Sequence, residues 1–288
     1  MIEADLRAYL DRIALAERPA ATPGGIARLV SAHRQAIPFE NLDVLLGQPI
    51  RIDGASVFAK LVTGRRGGYC FEHNRLLADA LTALGLPNRP LLARVRLVVT
   101  PGEVPPRTHI LLLVDTPDGP WIADAGFGGA FLPPLPLCDG ANGPSPDGAK
   151  HRLVRRRGND PLDGEWLLER AGPSGATDGR AQAVDGAWQA QYSFDLAAVA
   201  PADLEQANHW TSTRAGTRFT TLPVVSRVLP DGFASLVESR LTIHAGGQSS
   251  AQEIAEGSAY GAVLRDVFGL DLAAEQLGRL WPTALRLP

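Results

Sequence analysis

Apolar residues recur at helical spacing through the first third of the chain. In EADLRAYLDRIAL, Leu6, Leu10 and Ile13 share one face; in GGIARLVSAHRQAIP the face is Ile26, Leu29, Val30 and His33, and it ends before Pro38. ASVFAKLVTG predicts a short helix closed by Gly64. CFEHNRLLADALTALGL carries the clearest stripe, Phe71, Leu77, Ala78, Leu81 and Leu84, with Gly85 placed to cap its C-terminus.

At Pro87 the pattern changes. RPLLARVRLVVT, THILLLVD and PWIADAG read as strands, with the turn TPDG between the last two. HRLVRRR, EWLLERA and AWQAQYSF predict further strands. They are separated by CDGANGPSPDGAK and AGPSGATDGRAQAVDG, both read as loops and the second as mobile. PADLEQANHWTSTR predicts a helix with Pro201 near its start. FTTLPVVSRVL and FASLVESRLTIHA read as two strands around PDG, and AYGAVLRDVFGL and LAAEQLGRLW as closing helices. The order is helices, then strands, then a mixed unit: an α+β chain with boundaries at 1–86, 87–195 and 196–288.

Composition narrows the function classes. A hydrophobic fraction of 45% and a charged fraction of 20% are those of an ordinary globular protein. The net charge of −3 gives no basis for a nucleic-acid surface or a polybasic membrane patch. The start, MIEADLRAYLDRIAL, lacks a basic and then apolar leader, and the longest apolar runs, such as Ile110–Val114, are too short to span a bilayer. A cytoplasmic location is expected, and with it two free thiols, Cys70 and Cys138. No thiolate zinc site is expected, and His33, His151, His209 and His244 lack metal-ligand spacing.

Cys70 stands in RRGGYCFEHN, residues 65–74, where a helix begins. A thiol attacks as thiolate, and unpaired N–H groups with the helix dipole favour negative charge at that place. Gly67 and Gly68 permit a tight entry. The position equally suits a small buried hydrophobe, so a base is needed to decide. If TPDG closes a hairpin with Asp115 facing Pro120, Leu111 faces Asp124 and His109 lies two residues along on the same side. Such diagonal neighbours sit about 7–8 Å apart at the backbone, within reach of an imidazole and a carboxylate. A slip of one residue would separate them. Two polar groups in otherwise apolar strands need partners and are each other's obvious one. They form either a satisfied core pair or the base and orienter of a Cys70 nucleophile.

At these residues the chain resembles the arylamine N-acetyltransferases. RRGGYCFEHN is similar to the family's active-cysteine segment, and IPFENLD (37–43), preceded by His33, to its N-terminal signature. THILLLV and ADAGFGG resemble the segments carrying its histidine and aspartate. NHWTSTRAGTRF (208–219) and VLRDVFGLDL fit as well. The resemblance implies a helical bundle, a β-barrel and an α/β lid, as in the cysteine-protease superfamily. It implies a triad of Cys70, His109 and Asp124. It further implies ping-pong transfer from acetyl-coenzyme A, as acyl donor, to an arylamine or hydrazine, with no metal or tightly bound cofactor. Thr108, Gly126, Phe127 and Gly128 would meet coenzyme A. Phe39, Val95, Phe127 and Phe219 would line the acceptor pocket. Backbone N–H groups at Cys70 and near Val95 would hold the oxyanion.

Some features depart from the family. His73 replaces a usually uncharged residue and reads as a surface histidine, and Ala215 and Thr217 replace a common Pro and Ser. GFGG (126–129) is not a dinucleotide loop, because AFLPPLP cannot form the helix such a loop needs. Rival readings are a macrolactam-forming amide synthase of the same family, a cysteine hydrolase, and a silent binding protein. The acyl donor accepted, and the reactivity of Cys70, separate them. The physiological amine, the preferred acyl group and the oligomeric state, homo-oligomer included, stay open.

Overall fold

The computed structural model describes residues 1–100, 102–157, 164–180 and 186–285. Helices α1 (Glu3–Arg12) and α2 (Pro23–Ala36) come first, and Thr22 Oγ1 caps α2 by accepting from the Gly25 N–H at 3.2 Å. A two-residue strand β1 (Phe39–Glu40), a turn of helix α3 (Leu42–Leu45) and helix α4 (Gly54–Phe58) follow. Helix α4 runs into one π-helical turn over Ala59–Thr63. Helix α5 (Cys70–Ala83) ends at Gly85, whose φ of 84° is the left-handed geometry expected of that cap. The apolar stripes of α1, α2 and α5 meet in one core that also takes Leu112, Val114 and Phe233.

The central strands are β2 (Asn88–Val95), β3 (Arg107–Thr116), β4 (Gly119–Ala123), β5 (Leu135–Pro136), β6 (Asn142–Pro144), β7 (Lys150–Arg155), β8 (Trp166–Ala171) and β9 (Gln189–Phe194). They form one antiparallel sheet in the order β5-β4-β3-β2-β9-β8-β7-β6. The sheet curls until its edges nearly meet: a β-carbon on Gly143 in β6 would lie 3.1 Å from Leu135 of β5. Leu91, Leu111, Ile122, Leu153, Leu168 and Phe194 fill the interior of this nearly closed barrel.

Helix α6 (Pro201–Thr213) and the short α7 (Arg218–Thr221) lead to β10 (Val224–Leu229), β11 (Gly232–Val237), β12 (Arg240–Ala245) and β13 (Gln248–Glu253). Helices α8 (Gly257–Asp266) and α9 (Ala274–Ala284) pack on this sheet through Tyr260, Leu264 and Leu280, joined by Phe268 from the segment between them. Its order is β1-β10-β11-β12-β13, so the N-terminal helical segment donates a strand to the C-terminal sheet. The architecture is α+β in three parts. No helix among the described residues is long and apolar enough to cross a membrane.

Four readings of secondary structure need correction. CDGANGPSPDGAK, read as a loop, contains strand β6, which pairs with β7. FASLVESRLTIHA is two strands, because Glu238 takes a positive φ of 53° and reverses the chain. FTTLPVVSRVL opens with α7, and its strand starts only at Val224. The segment read as mobile is anchored over its described part. Asp178 N–H donates to Gly129 O at 2.9 Å, and Ser235 Oγ donates to Thr177 O at 3.2 Å. Residues 181–185 lie outside the described residues.

His73 is also corrected: it is wholly buried. The first turn of α5 is enclosed by α2, β1 and β3, so helical spacing leaves it no outward face. Its Nε2 faces Pro38 O at 3.1 Å, an oxygen that only accepts, which makes Nδ1 the acceptor toward His33 Nε2 at 2.7 Å. His33 Nδ1 then accepts from the Tyr9 hydroxyl at 2.8 Å. Burial pushes His33 down to about 3 and His73 well below the usual imidazole value, so the chain stays neutral. Tyr9→Phe strands the His33 acceptor in the core. It is expected to lower stability by about 1–3 kcal/mol in urea unfolding, and an unchanged midpoint would mean that the Tyr9–His33 bond does not stabilise this core.

Candidate active site

Cys70 is the first residue of α5 and is buried. Its approach is crowded: a β-carbon on Gly67 would lie 2.3 Å from Pro38 O, and one on Gly68 would lie 2.6 Å from the Glu72 carboxylate. That carboxylate accepts from the Tyr69 N–H at 3.0 Å and from Lys60 Nζ at 2.7 Å, which fixes the start of the helix. Only residues without side chains pass here, so the paired glycines are a packing requirement.

The β3–β4 hairpin has the register expected from the sequence, with Asp115 opposite Pro120 and Thr116 opposite Gly119. His109 in β3 and Asp124, just past β4, meet at 2.6 Å between Nε2 and Oδ2. Asp124 Oδ1 accepts from Asn74 Nδ2 at 3.0 Å and from the Gly126 N–H at 2.8 Å. Burial alone would raise this carboxyl; the imidazole, the amide and the N–H outweigh it and hold Asp124 below the usual carboxylate range. An ionised carboxylate only accepts, so His109 Nε2 is the donor in its bond to Asp124.

Between β2 and β3 the register slips by one residue. Ala93 pairs His109 and Arg94 pairs Arg107, so Thr108 is the extra, unpaired residue of a bulge. Its carbonyl accepts from the Cys70 thiol at 3.7 Å. Burial raises this thiol far above its ordinary value and the Asp124 carboxylate adds to the effect, while the Phe71 and Ile110 N–H groups pull the other way without overcoming it. The helix-start contribution is present, in the direction expected, but burial outweighs it.

One cavity of about 260 Å³ is lined by Cys70, His109, Thr108, Gly126, Phe127 and Gly128, and also by Phe39, Val95 and Phe219. Every site residue named from the sequence therefore borders it, except Asp124, which lies behind His109. The glycines have a reason the sequence did not reveal. A β-carbon on Gly126 would lie 2.7 Å from Cys70 Cα, and one on Gly128 would lie 2.6 Å from the Phe39 ring. They let the loop press against Cys70 and the pocket wall. Arg34, also buried, steadies that loop by donating to Phe127 O at 3.0 Å.

Two supporting residues escaped the sequence reading. Asn74 holds Asp124, Ile110 O at 2.7 Å and the Ala125 N–H at 3.0 Å; its place one helical turn after Cys70 was the available signal. Tyr192 of β9 lies 5.0 Å from His109, ring to ring, with Phe127 edge-on at 5.3 Å from the same imidazole, and burial together with the nearby Asp124 carboxylate pushes its hydroxyl well above the usual value. Nothing local marks it, since β9 reaches β2 only by closing the barrel.

The family model described as N-acetyltransferase matches residues 25–277. A relative from Salmonella typhimurium, named arylamine N-acetyltransferase / N-hydroxyarylamine O-acetyltransferase, is 38% identical over 227 residues, 79% of this chain and 74% of its own. The solved arylamine N-acetyltransferase from Salmonella typhimurium superposes with a TM-score of 0.86 at 32% identity, covering 98% of this chain and 99% of that one. The Mycobacterium marinum arylamine N-acetyltransferase solved in complex with CoA gives 0.83 at 31% identity, over 97% of this chain and 98% of that one.

Proposed function

Because the chain belongs to the arylamine N-acetyltransferase family, we propose that it moves an acetyl group from acetyl-coenzyme A to small aromatic amines or hydrazines through an acetyl thioester on Cys70. The observation that carries this reading is the cavity shared by a helix-start thiol and an imidazole held by Asp124.

In the first half-reaction the Cys70 sulfur attacks the thioester carbonyl as its proton passes to His109 Nδ1. Asp124 stabilises the imidazolium, which answers the objection that a buried sulfur ionises poorly. Collapse of the tetrahedral intermediate breaks the carbon–sulfur bond of the donor, and coenzyme A takes the proton from His109 as it leaves. One thioester replaces another, so the step is nearly balanced in energy. In the second half the amine nitrogen attacks the acetyl-cysteine and gives a proton to His109, and the Cys70 sulfur leaves and recovers it. The first N–H groups of α5, with Val95 across the cavity, are the proposed oxyanion donors. The aromatic walls at Phe39, Phe127 and Phe219 suit a flat apolar acceptor. The relatives bear arylamine N-acetyltransferase names, which favours this reading over a hydrolase or a macrolactam synthase.

The test is mass spectrometry of the protein mixed with acetyl-coenzyme A. One acetyl group is expected on the peptide containing Cys70, and adding 4-methylaniline should discharge it as the acetanilide. An adduct confined to other residues, or no adduct, would overturn the proposal.

A further inference from the structure

The cavity that holds Cys70 has a charged wall which acetyl transfer as such does not need. Asp178, Arg180 and Arg218 border it together with the aromatic residues. The Asp178 side chain is 1% exposed, and both arginines converge on its Oδ2, Arg180 at 2.8 Å and Arg218 at 3.5 Å. The arginines themselves stay partly open, at 21% and 25%. The segment is built in, through the bonds of Thr177 and Asp178 to Ser235 and Gly129. Two guanidinium groups against one carboxylate leave a surplus positive charge on this wall, and arginine cannot shed it.

The same three residues separate this cavity from a neighbouring one of about 340 Å³. On that far side the charges are matched. Arg240 pairs with Glu253 at 3.0 Å, and the Glu238 carboxylate lies near enough to favour the charged form of Arg218. The near side offers only the shared Asp178. Burial and the charge of Arg180 both work against the Arg218 guanidinium, and an anion between the two arginines would relieve that repulsion.

We propose that Arg180 and Arg218 form an oxyanion subsite that holds the carboxylate of an anionic aromatic amine while its amino group faces the Cys70 thioester. The inference rests on the acetyl-transfer reading and deepens it by naming the acceptor class. Two observations favour the acceptor over the phosphates of the donor. A cavity of about 260 Å³ lies at the lower edge of ligand-pocket sizes and suits a single substituted ring. With Glu238 on the far side of Arg218, only Asp178 faces the two guanidinium groups from the cavity side, which suits a monoanion rather than a polyphosphate. Planar guanidinium groups also suit a carboxylate, which they can bind through paired hydrogen bonds.

The experiment compares kcat/KM for 4-aminobenzoate and for its neutral near-isostere 4-methylaniline, with acetyl-coenzyme A as donor. It uses the wild type, Arg180→Gln, Arg218→Gln and Arg180→Lys. Each variant is read as the ratio between the two amines, so a general loss of activity or folding cancels. The ratio is expected to fall about tenfold in either glutamine variant, through KM for the acid rather than kcat, and to recover partly in Arg180→Lys. An unchanged ratio would sink the proposal. So would an unchanged ratio with a raised KM for acetyl-coenzyme A, which would assign the arginines to donor phosphates. If the wild type acetylates neither amine, the acetyl-transfer reading falls and the subsite falls with it. If it acetylates 4-methylaniline and the ratio ignores both arginines, only the subsite is lost.

Discussion

Cys70→Ala is expected to lower acetyl transfer by about 10⁴-fold or more and to leave no acetyl adduct on the protein. The side chain is small and buried, so alanine removes one sulfur from the start of α5 without opening a large space, and circular dichroism should be unchanged. What is lost is the only atom on the cavity wall able to carry the acetyl group as a thioester. Cys138, the other thiol, is exposed and lies away from the cavity, bonded weakly to its neighbour Asp139. Persistent turnover in the alanine variant, or acetylation shifted to Cys138 with the rate kept, would refute the covalent mechanism.

Asp124→Asn is the second large effect, and the geometry gives its cause. Oδ1 of Asp124 serves Asn74 and Gly126, both donors, so an asparagine must keep its carbonyl oxygen there. Its NH₂ then points at His109 Nε2 in place of Oδ2. The imidazole can answer only by accepting at Nε2 and carrying its proton on Nδ1, the tautomer unable to take a proton from Cys70. The fold should survive, because the two bonds that hold the loop are kept. We expect kcat to drop about 10⁴-fold with a smaller change in KM. A variant that transfers acetyl at the wild-type rate would mean that Asp124 does not orient the base.

Much of this site is legible in the chain because it depends on short-range geometry. A β-hairpin with a two-residue loop has one register that keeps its apolar side chains inside, and that register brings His109 to Asp124. Helical spacing places Cys70 at the start of α5 and Gly85 at its end. His73 shows where the same logic fails. Periodicity tells which residues share a face, but whether a second face is also covered depends on what packs there, and here α2 and β1 cover it. The loop read as mobile fails similarly: Gly, Pro and Asp mark irregular backbone, while anchoring comes from distant partners such as Gly129 and Ser235.

Alone, the order of residues determined the helix, strand and mixed segments, the cysteine at a helix start and the His–Asp pair, since each follows from dihedral preference and alternation over a few neighbours. The tertiary structure decided the rest. It put a bulge at Thr108 facing the sulfur, closed the barrel so that the Tyr192 ring lies against His109, and set Arg180 and Arg218 against one carboxylate on the wall of the cavity. Apart from Arg180, which stands two residues from Asp178, these contacts join residues tens of positions apart. No local preference encodes such pairs; they exist only once burial of the three cores has brought the segments together.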